Sequence, residues 1–402
     1  MNGIRATVTL CATLAIATSG CSPTPTVPST TARPTQTSAA AATVKPSPAA
    51  SPARLAAVGR LAPTGAMAMP RAVATATRLV DGRVMIAGGC TDSGCDLGSA
   101  GGETAELYDP AAGTFSRTGD LTVWRDDHAA IALPDGRVLL VGGWGADGLL
   151  DSTDVYDPAT GSFAPGPPMH SGRAGDVPVE LADGRVLIAG GFLGNRPTTT
   201  AAEVFDPTSL KMTPTGDLGR PRGAYAAARL ADGRVLVAGG LSDGVVTPTA
   251  ELYDPQTGTF SATGDMAIPR YKGGAIALPD GRILVFAGSG DIDGTITYNS
   301  SELYDPATGT FSPGPTMAHA RYKVAESTIR LGSGDYLLTA GAPEPELFDV
   351  AALAFRPVEG SLGATRLFLA AAPIDDHRVL LSGGYDRVIR PTDQAWVFDD
   401  RE

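Results

Sequence analysis

Short apolar runs alternate with turn residues along most of the chain, and no stretch shows an apolar stripe of helical period. Residues 224–240 show the pattern well. The run 224–230 (AYAAARL) predicts a strand, Asp232-Gly233 a tight hairpin turn that tolerates positive φ, and 234–238 (RVLVA) a second strand. The small pair that follows, Gly239-Gly240, ends this strand and allows close backbone approach.

The same stretch continues into two further strands. The run 250–253 (AELY) predicts a third strand, which Asp254-Pro255 ends because proline donates no ladder hydrogen bond. Residues 257–264 (TGTFSATG) then predict a glycine-containing hairpin and a fourth strand. Each such unit is therefore predicted to contain four short strands.

The unit recurs seven times with a period of roughly fifty residues, which indicates stacked supersecondary units. Two independent markers give the same count. The small pair begins at Gly88, Gly142, Gly190, Gly239, Ala287, Ala340 and Gly383. An aromatic-Asp step in the third strand begins at Tyr108, Tyr156, Phe205, Tyr253, Tyr304, Phe348 and Phe398.

Four-stranded units with a di-glycine after the second strand and aromatics in the later strands resemble the kelch family of β-propellers. The resemblance covers residues 55–402 and implies an all-β, seven-bladed propeller with four-stranded blades. The tryptophan common in the family's fourth strand is replaced, by Phe115, Phe163, Phe260, Phe311 and Met212.

The seventh unit stops after its third strand, whereas residues 58–67 align with the fourth-strand segment 257–266. We therefore expect an N-terminal strand to close the last blade. This closure would remove an open sheet edge that invites aggregation.

The N-terminus has the composition of an export signal. Residues 1–21 carry Arg5, a short apolar run and the ending Ser-Gly-Cys, which resembles a bacterial lipobox with Cys21 as the lipidated residue, although Thr18 departs from it. An ordinary signal peptide or an uncleaved anchor is the alternative. Residues 22–54 are rich in Pro, Thr, Ser and Ala and predict a disordered linker.

These features predict an exported protein that is anchored by lipid to the bacterial cell membrane and faces outside the cytoplasm, in the periplasm or at the cell surface. The membrane is then touched only through the anchor. In that compartment Cys90 and Cys95 favour a local disulfide. A metal site is the alternative, but two cysteines without further ligands do not complete a shell, so neither metal nor cofactor is expected.

The charge balance excludes one class of partner. The chain has 31 basic and 43 acidic residues, a formal net charge of −12, so a nucleic-acid backbone would be repelled. A single closed ring of this size can bury a core of its own, and we expect a monomer.

An arginine precedes each first strand, and six units also place an acid in the third strand. The arginines are Arg71, Arg125, Arg173, Arg222, Arg270, Arg321 and Arg366. The acids are Glu106, Asp154, Glu203, Glu251, Glu302 and Glu346. Sevenfold recurrence favours structural ion pairs within or between blades, and a ring that binds anions is the alternative.

Units four to six break the symmetry with aromatic and cationic side chains. The candidate ligand-binding residues are Arg222, Tyr225, Arg270, Tyr271, Lys272, His319, Arg321, Tyr322 and Lys323. Acidic residues mark the opposite side of the same loop face, at Asp126, Asp127, Asp147, Asp151 and Asp176. Aromatic rings beside cationic donors suit sugars or anionic groups, whereas a solvated rim is the alternative.

No catalytic constellation is visible. Copper radical oxidases that resemble galactose oxidase need two tyrosines, two histidines and a cysteine joined to tyrosine, and this chain has four histidines without that pattern. The fold class alone does not define an activity. We expect a noncatalytic recognition module that binds an envelope or extracellular protein or glycan; the alternative is a sugar-acting enzyme of the kelch mutarotase type, or, less favoured, a copper radical oxidase.

Overall fold

A computed structural model describes residues 56–95, 101–175 and 177–402. They form seven four-stranded antiparallel sheets, so the predicted all-β, seven-bladed architecture is confirmed. Among these residues no helix is long and apolar enough to cross a bilayer. The predicted signal segment 1–21 with Cys21 and the linker 22–54 lie outside the described residues.

Each blade is given by its first to fourth strand, and the first strands of neighbouring blades contact one another around the axis. Blade 1 contains Thr75–Arg78, Val84–Ala87, Ala105–Asp109 and Thr114–Arg117. Blade 2 contains Ala129–Ala132, Val138–Val141, Thr153–Asp157 and Ser162–Pro165. Blade 3 contains Val179–Glu180, Val186–Ala189, Ala202–Asp206 and Lys211–Pro214. Blade 4 contains Ala226–Arg229, Val235–Ala238, Ala250–Asp254 and Thr259–Ala262.

The remaining blades follow the same order. Blade 5 contains Gly274–Ala277, Ile283–Phe286, Ser301–Asp305 and Thr310–Pro313. Blade 6 contains Thr328–Arg330, Tyr336–Leu338, Glu346–Asp349 and Ala354–Pro357. Blade 7 contains Ala370–Pro373, Arg378–Ser382, Ala395–Asp399 and, from the N-terminus, Arg60–Pro63.

Three small elements were not predicted. Two-stranded hairpins pair Trp144–Gly145 with Gly148–Leu149 in blade 2 and Leu241–Ser242 with Val245–Val246 in blade 4. A 3-10 helix, Ala325–Ser327, precedes the first strand of blade 6. Both hairpins begin directly after the small pair, in the loops where the sequence varies most.

The N-terminal strand closes the ring, as predicted. Arg60–Pro63 pairs antiparallel with the third strand of blade 7, with Leu61 opposite Phe398 and Pro63 opposite Trp396. Leu61 is buried in the core cluster that also contains Trp396 and Phe398. The two ends of the propeller are therefore held together by one sheet.

The Asp-Gly hairpin turns are wider than the predicted tight turn. In blade 1 the Leu79 N–H donates to Arg83 O (2.8 Å) and the Gly82 N–H to Leu79 O (3.0 Å), so the loop spans five residues. Gly82 alone among these residues has positive φ, at 88°. The Asp81 carboxylate instead accepts hydrogen bonds from the backbone N–H and the guanidinium of Arg83, which explains the Asp-Gly-Arg sequence.

The third-strand aromatics tie neighbouring blades together. The Tyr156 ring packs on Phe163 of the fourth strand with centroids 4.7 Å apart. Its hydroxyl forms a 2.8 Å hydrogen bond with Thr118 of the preceding blade. Tyr108, Tyr253 and Tyr304 make the equivalent contact. The aromatic-Asp step of the sequence thus serves packing between blades.

Each arginine before a first strand of blades 1–6 is a buried anchor. In blade 2, Arg125 donates to the carbonyl of Gly142 at 2.8 Å, to that of Ser152 at 3.1 Å and to the Asp154 carboxylate at 3.2 Å. Both charged side chains are fully buried. The predicted Arg-carboxylate pairs are present within all six blades, whereas Arg366 of blade 7 donates to Gln394.

Deletion of the closing strand should destabilise the whole ring. A chain that begins at residue 66 loses four backbone pairings and the burial of Leu61, and exposes a sheet edge. We expect the free energy of unfolding to fall by about 3 kcal/mol or more and the protein to associate at high concentration. Denaturant unfolding and size-exclusion chromatography check this against a chain that begins at residue 56; equal stability of the two would contradict the closure.

Replacement of one buried anchor arginine should lower the free energy of unfolding far more than replacement of Arg366, the arginine of blade 7. Arg222→Met leaves the Glu251 carboxylate buried and unpaired, so we expect a loss of about 3–5 kcal/mol in urea unfolding. Arg366→Met is the matched control, with an expected loss of about 1 kcal/mol because no buried carboxylate is stranded. The double variant Arg222→Met, Glu251→Met should regain part of the loss. Equal losses for the two single variants would contradict the anchor role.

Candidate functional site

The backbone is left-handed two residues after every such arginine. These seven residues, named here the axial ring, are Val73, Asp127, Gly175, Ala224, Lys272, Lys323 and Phe368, and their φ values lie between 48° and 62°. Only one of them is glycine. The conformation costs of order 1–3 kcal/mol for other residues, so something must hold it in place.

Backbone hydrogen bonds between neighbouring blades hold the axial ring. The Lys323 N–H donates to Lys272 O (2.8 Å), and the Lys272 N–H donates to Ala224 O (2.9 Å). Further bonds of this kind run from Ala224 to Gly175, from Gly175 to Asp127, from Asp127 to Val73 and from Val73 to Phe368. Because the conformation occurs in all seven blades, it belongs to the architecture, and the site arises from the side chains placed on it.

A second repeated contact brings the loops between second and third strands to the same face. The residue after each arginine pairs with the residue after the small pair in six blades, as in Asp126 with Trp144, Ala174 with Phe192 and Leu367 with Tyr385. The two kinds of loop therefore share one face. Side chains at these positions surround the axial ring.

Together these loops line a depression of about 350 Å³ at the axis, named here the axial depression. Its aromatic wall comes from four blades, through Trp144, Phe192, Tyr271 and Phe368. Its polar groups come from Asp126, Asp127, Asn195 and Lys272. A polar and aromatic site on rigid strands is the usual form of a binding pocket.

A smaller cavity of about 40 Å³ adjoins the depression, and Asp127, Lys272 and Phe368 line both. Lys323 and Tyr225 line the small cavity alone. A separate space of about 210 Å³ lies along the first strands and is lined by alanines and His128. The His128 ring is hydrogen-bonded to Thr75 at 3.0 Å.

Both ring lysines lie against aromatic faces. The Lys272 and Lys323 Nζ atoms are 4.4 and 4.5 Å from the centroid of the same Phe368 ring. Lys323 Nζ is also 4.9 Å from the Tyr385 centroid and 5.1 Å from that of Tyr322, and it donates a hydrogen bond to the Tyr385 hydroxyl. Cation-π contacts of this kind strengthen when water is excluded.

Burial shifts the pKa values of several groups around the propeller axis. Burial, with help from the neighbouring Lys272 charge, lowers the pKa of Lys323 to about 6, and Asp127 opposes the shift. Burial and Asp127 raise the pKa of Asp126 to about 8, and Lys272 opposes it. Burial also raises the pKa of Tyr385 and lowers that of His128 to about 3. Such perturbed groups are common at functional sites.

The residues suggested by the sequence are divided between four places. The guanidinium groups of Arg222, Arg270 and Arg321 are buried in their blades and paired with carboxylates, so they are not open to a ligand. Tyr271 and Lys272 line the axial depression, and Tyr225 and Lys323 line the small cavity.

Two others lie outside both spaces. Tyr322 packs on the cluster that contains Cys90 and Tyr385. His319 lies 3.9 Å from Glu344 and is partly exposed. Of the acidic residues, Asp126 and Asp127 reach the depression, and Asp176 lies outside the described residues.

Several aromatic side chains of this site were not predicted from the sequence. Trp144, Phe192 and Tyr385 directly follow the small pair, and Phe368 lies two residues after Arg366. Comparison of those two positions across the seven units would have selected them, because they are the positions at which the loops pair around the axis.

Cys90 and Cys95 form a disulfide in the loop after the small pair of blade 1. Cys90 also pairs with Ala72, next to the axial ring, and Cys95 lines the depression. The bridge therefore fixes one rim of the axial depression.

Comparison with solved structures shows a shared fold. A fungal alcohol oxidase of the AA5 family, in complex with copper, matches with a TM-score of 0.67 and 17% sequence identity, over 85% of this chain and 76% of that one. The curated proteins include none that matches. At this identity the likeness concerns the propeller and carries no activity with it.

Because that enzyme is in complex with copper, the side chains of this chain can be considered as copper ligands. Among residues 56–95, 101–175 and 177–402, no three His, Cys, Asp or Glu side chains are grouped as metal ligands. Cys90 is held in the disulfide, and the axial His128 is hydrogen-bonded to Thr75. The described residues do not fit a copper site, and no chemical step is assigned to copper.

One family model, the Kelch motif, matches residues 128–170, which span blade 2 from its first strand to the loop beyond its fourth. The same strand order, small pair and aromatic step recur in the other blades. The chain is a seven-bladed β-propeller, and its second blade carries a Kelch motif.

Proposed function

We propose that this propeller is a noncatalytic recognition module that binds a glycan in the axial depression. The observation that carries the proposal is the meeting of four aromatic side chains from different blades, Trp144, Phe192, Tyr271 and Phe368, around one depression of about 350 Å³. Aromatic rings offer flat apolar surfaces for the C–H faces of sugar rings, at a low cost in conformational entropy.

The polar groups of the depression suit sugar hydroxyls, which both donate and accept hydrogen bonds. Asp127 offers acceptor oxygens, Lys272 donors, and the exposed Asn195 amide both. A site whose charged side chains all had the same sign would favour an ion of the opposite sign. The mixture of signs around an aromatic wall favours a polyhydroxylated ligand over a purely anionic one.

The proposed setting is outside the cytoplasm, with the propeller attached to the bacterial membrane through Cys21. The sequence of residues 1–21 and the polar linker 22–54 support this proposal. The Cys90–Cys95 disulfide is in keeping with it, because such bonds persist in oxidising compartments. A glycan ligand would then belong to the cell envelope or the surroundings.

A sugar-acting enzyme is the second candidate, and one observation favours it. Asp126 lines the depression with its pKa raised to about 8, chiefly by burial, so this carboxyl is protonated near neutral pH and can donate a proton. The two candidates differ in outcome: a recognition module returns its glycan unchanged, whereas an enzyme converts it.

Substitution of Trp144, one of the aromatic residues that line the axial depression, should weaken glycan binding. The chain from residue 22 onward is screened on a glycan array, and the dissociation constant of the best ligand is measured by calorimetry. For Trp144→Ala we expect an increase of about tenfold or more, equivalent to about 1.4 kcal/mol, because a partly exposed wall of the depression is removed. Asn195→Ala should give a smaller increase.

Tyr336→Phe is the matched control, since Tyr336 lines a separate pocket beside the Asp-Gly-type turns. Removal of this hydroxyl should leave the affinity for the glycan unchanged. Recovered ligand is analysed by mass spectrometry and NMR for conversion. An array without any bound glycan, or a Trp144→Ala variant with native affinity, would contradict the proposal. Capture of a protein instead would point to the protein partner that the sequence left open.

A further inference from the structure

Lysine is rare in this chain, and half of its lysines lie at the propeller axis. Only four lysines occur in 402 residues, Lys45, Lys211, Lys272 and Lys323, whereas arginine supplies the other basic side chains. Two of the four occupy the axial ring. Arginine stays charged in proteins, but lysine loses its proton readily when it is buried, which is the property that amine nucleophiles require.

The geometry around Lys323 positions its amine. The backbone of Lys323 is held at φ 60° by the hydrogen bond from its N–H to Lys272 O. Its Nζ lies among the rings of Tyr322, Phe368 and Tyr385 and donates to the Tyr385 hydroxyl. This contact holds the nitrogen in place at the edge of the small cavity.

The charged groups that face Lys323 come from two other blades. Burial is the largest cause of the lowered pKa of Lys323, about 6; the charge of Lys272 in blade 5 lowers it further, and Asp127 of blade 2 opposes the shift. Tyr385 of blade 7 stays neutral, because burial raises its pKa. A desolvated lysine beside a second cation is one of the known ways to activate an amine for attack on a carbonyl.

We propose that Lys323 is a nucleophilic amine that forms an imine with small carbonyl compounds that enter through the axial depression. The Nζ lone pair attacks the carbonyl carbon, and one amine proton moves to the carbonyl oxygen to give a carbinolamine. The second amine proton leaves with that hydroxyl group as water, and a C=N bond remains. No electrons are exchanged, and Asp127, which lines the same cavity, is placed to carry the proton.

Lys272 indicates the class of carbonyl compound. Its ammonium lies 4.4 Å from the Phe368 centroid and lines both the depression and the small cavity. An anionic group next to the carbonyl can pair with this charge while the carbonyl faces Lys323. The ligand class is therefore a small 2-oxo acid. This inference does not depend on glycan binding, because it concerns an amine in the small cavity.

Reductive trapping tests the proposal. The chain from residue 22 onward is incubated near neutral pH with pyruvate and cyanoborohydride, which reduces an imine to a stable secondary amine, and labelled lysines are mapped by peptide mass spectrometry. We expect Lys323 to be labelled at least about tenfold faster than the exposed Lys211. The Lys323 rate should rise through pH 6 and then level off.

Two variants separate the roles of the lysines. Lys323→Met should abolish the fast label and remain folded, since the lowered pKa means that the native lysine itself costs stability as the pH falls from about 10 towards 6. Lys272→Met should slow the label, because the second cation is removed, and should lose the preference for pyruvate over the neutral analogue hydroxyacetone. Equal labelling of Lys323 and Lys211, or a fast label that survives in Lys323→Met, would overturn the proposal.

Discussion

The buried arginine anchor is the interaction on which the site depends. In blades 1–6 the guanidinium joins the start of the first strand to the carbonyl of the small pair and to a third-strand carboxylate. Since a buried ion pair gives little net stability compared with apolar packing, its main effect here is to fix geometry. The backbone two residues later is thereby placed to form the axial ring.

A sevenfold scaffold carries an asymmetric site. The ring hydrogen bonds involve only backbone atoms, so any side chain can occupy a ring position. Val73, Gly175 and Ala224 leave space, whereas Asp127, Lys272, Lys323 and Phe368 supply charge and an aromatic face. The small cavity and the depression share three of these residues. A larger ligand in the axial depression and a reaction of Lys323 in the small cavity can therefore share one entrance.

Much of the architecture was predictable because its cause is local and repeated. The small pair, the aromatic-Asp step and the arginine each recur in every unit, and each proved to serve strand ends, blade packing or the anchor. The site was predictable only in part. Tyr271 and Lys272 were selected from an unusual sequence, but Trp144, Phe192 and Tyr385 lie in other blades, and closure of the ring alone brings them together.

If the axial ring holds Lys323 as a desolvated amine, an NMR titration of the lysines should reveal it. With ¹³C at the ε-carbons, a chain of four lysines gives few and separable signals. We expect one signal that titrates near pH 6 and is missing in Lys323→Met. Titration of every lysine near about 10.4, the value of a solvated amine, would contradict it.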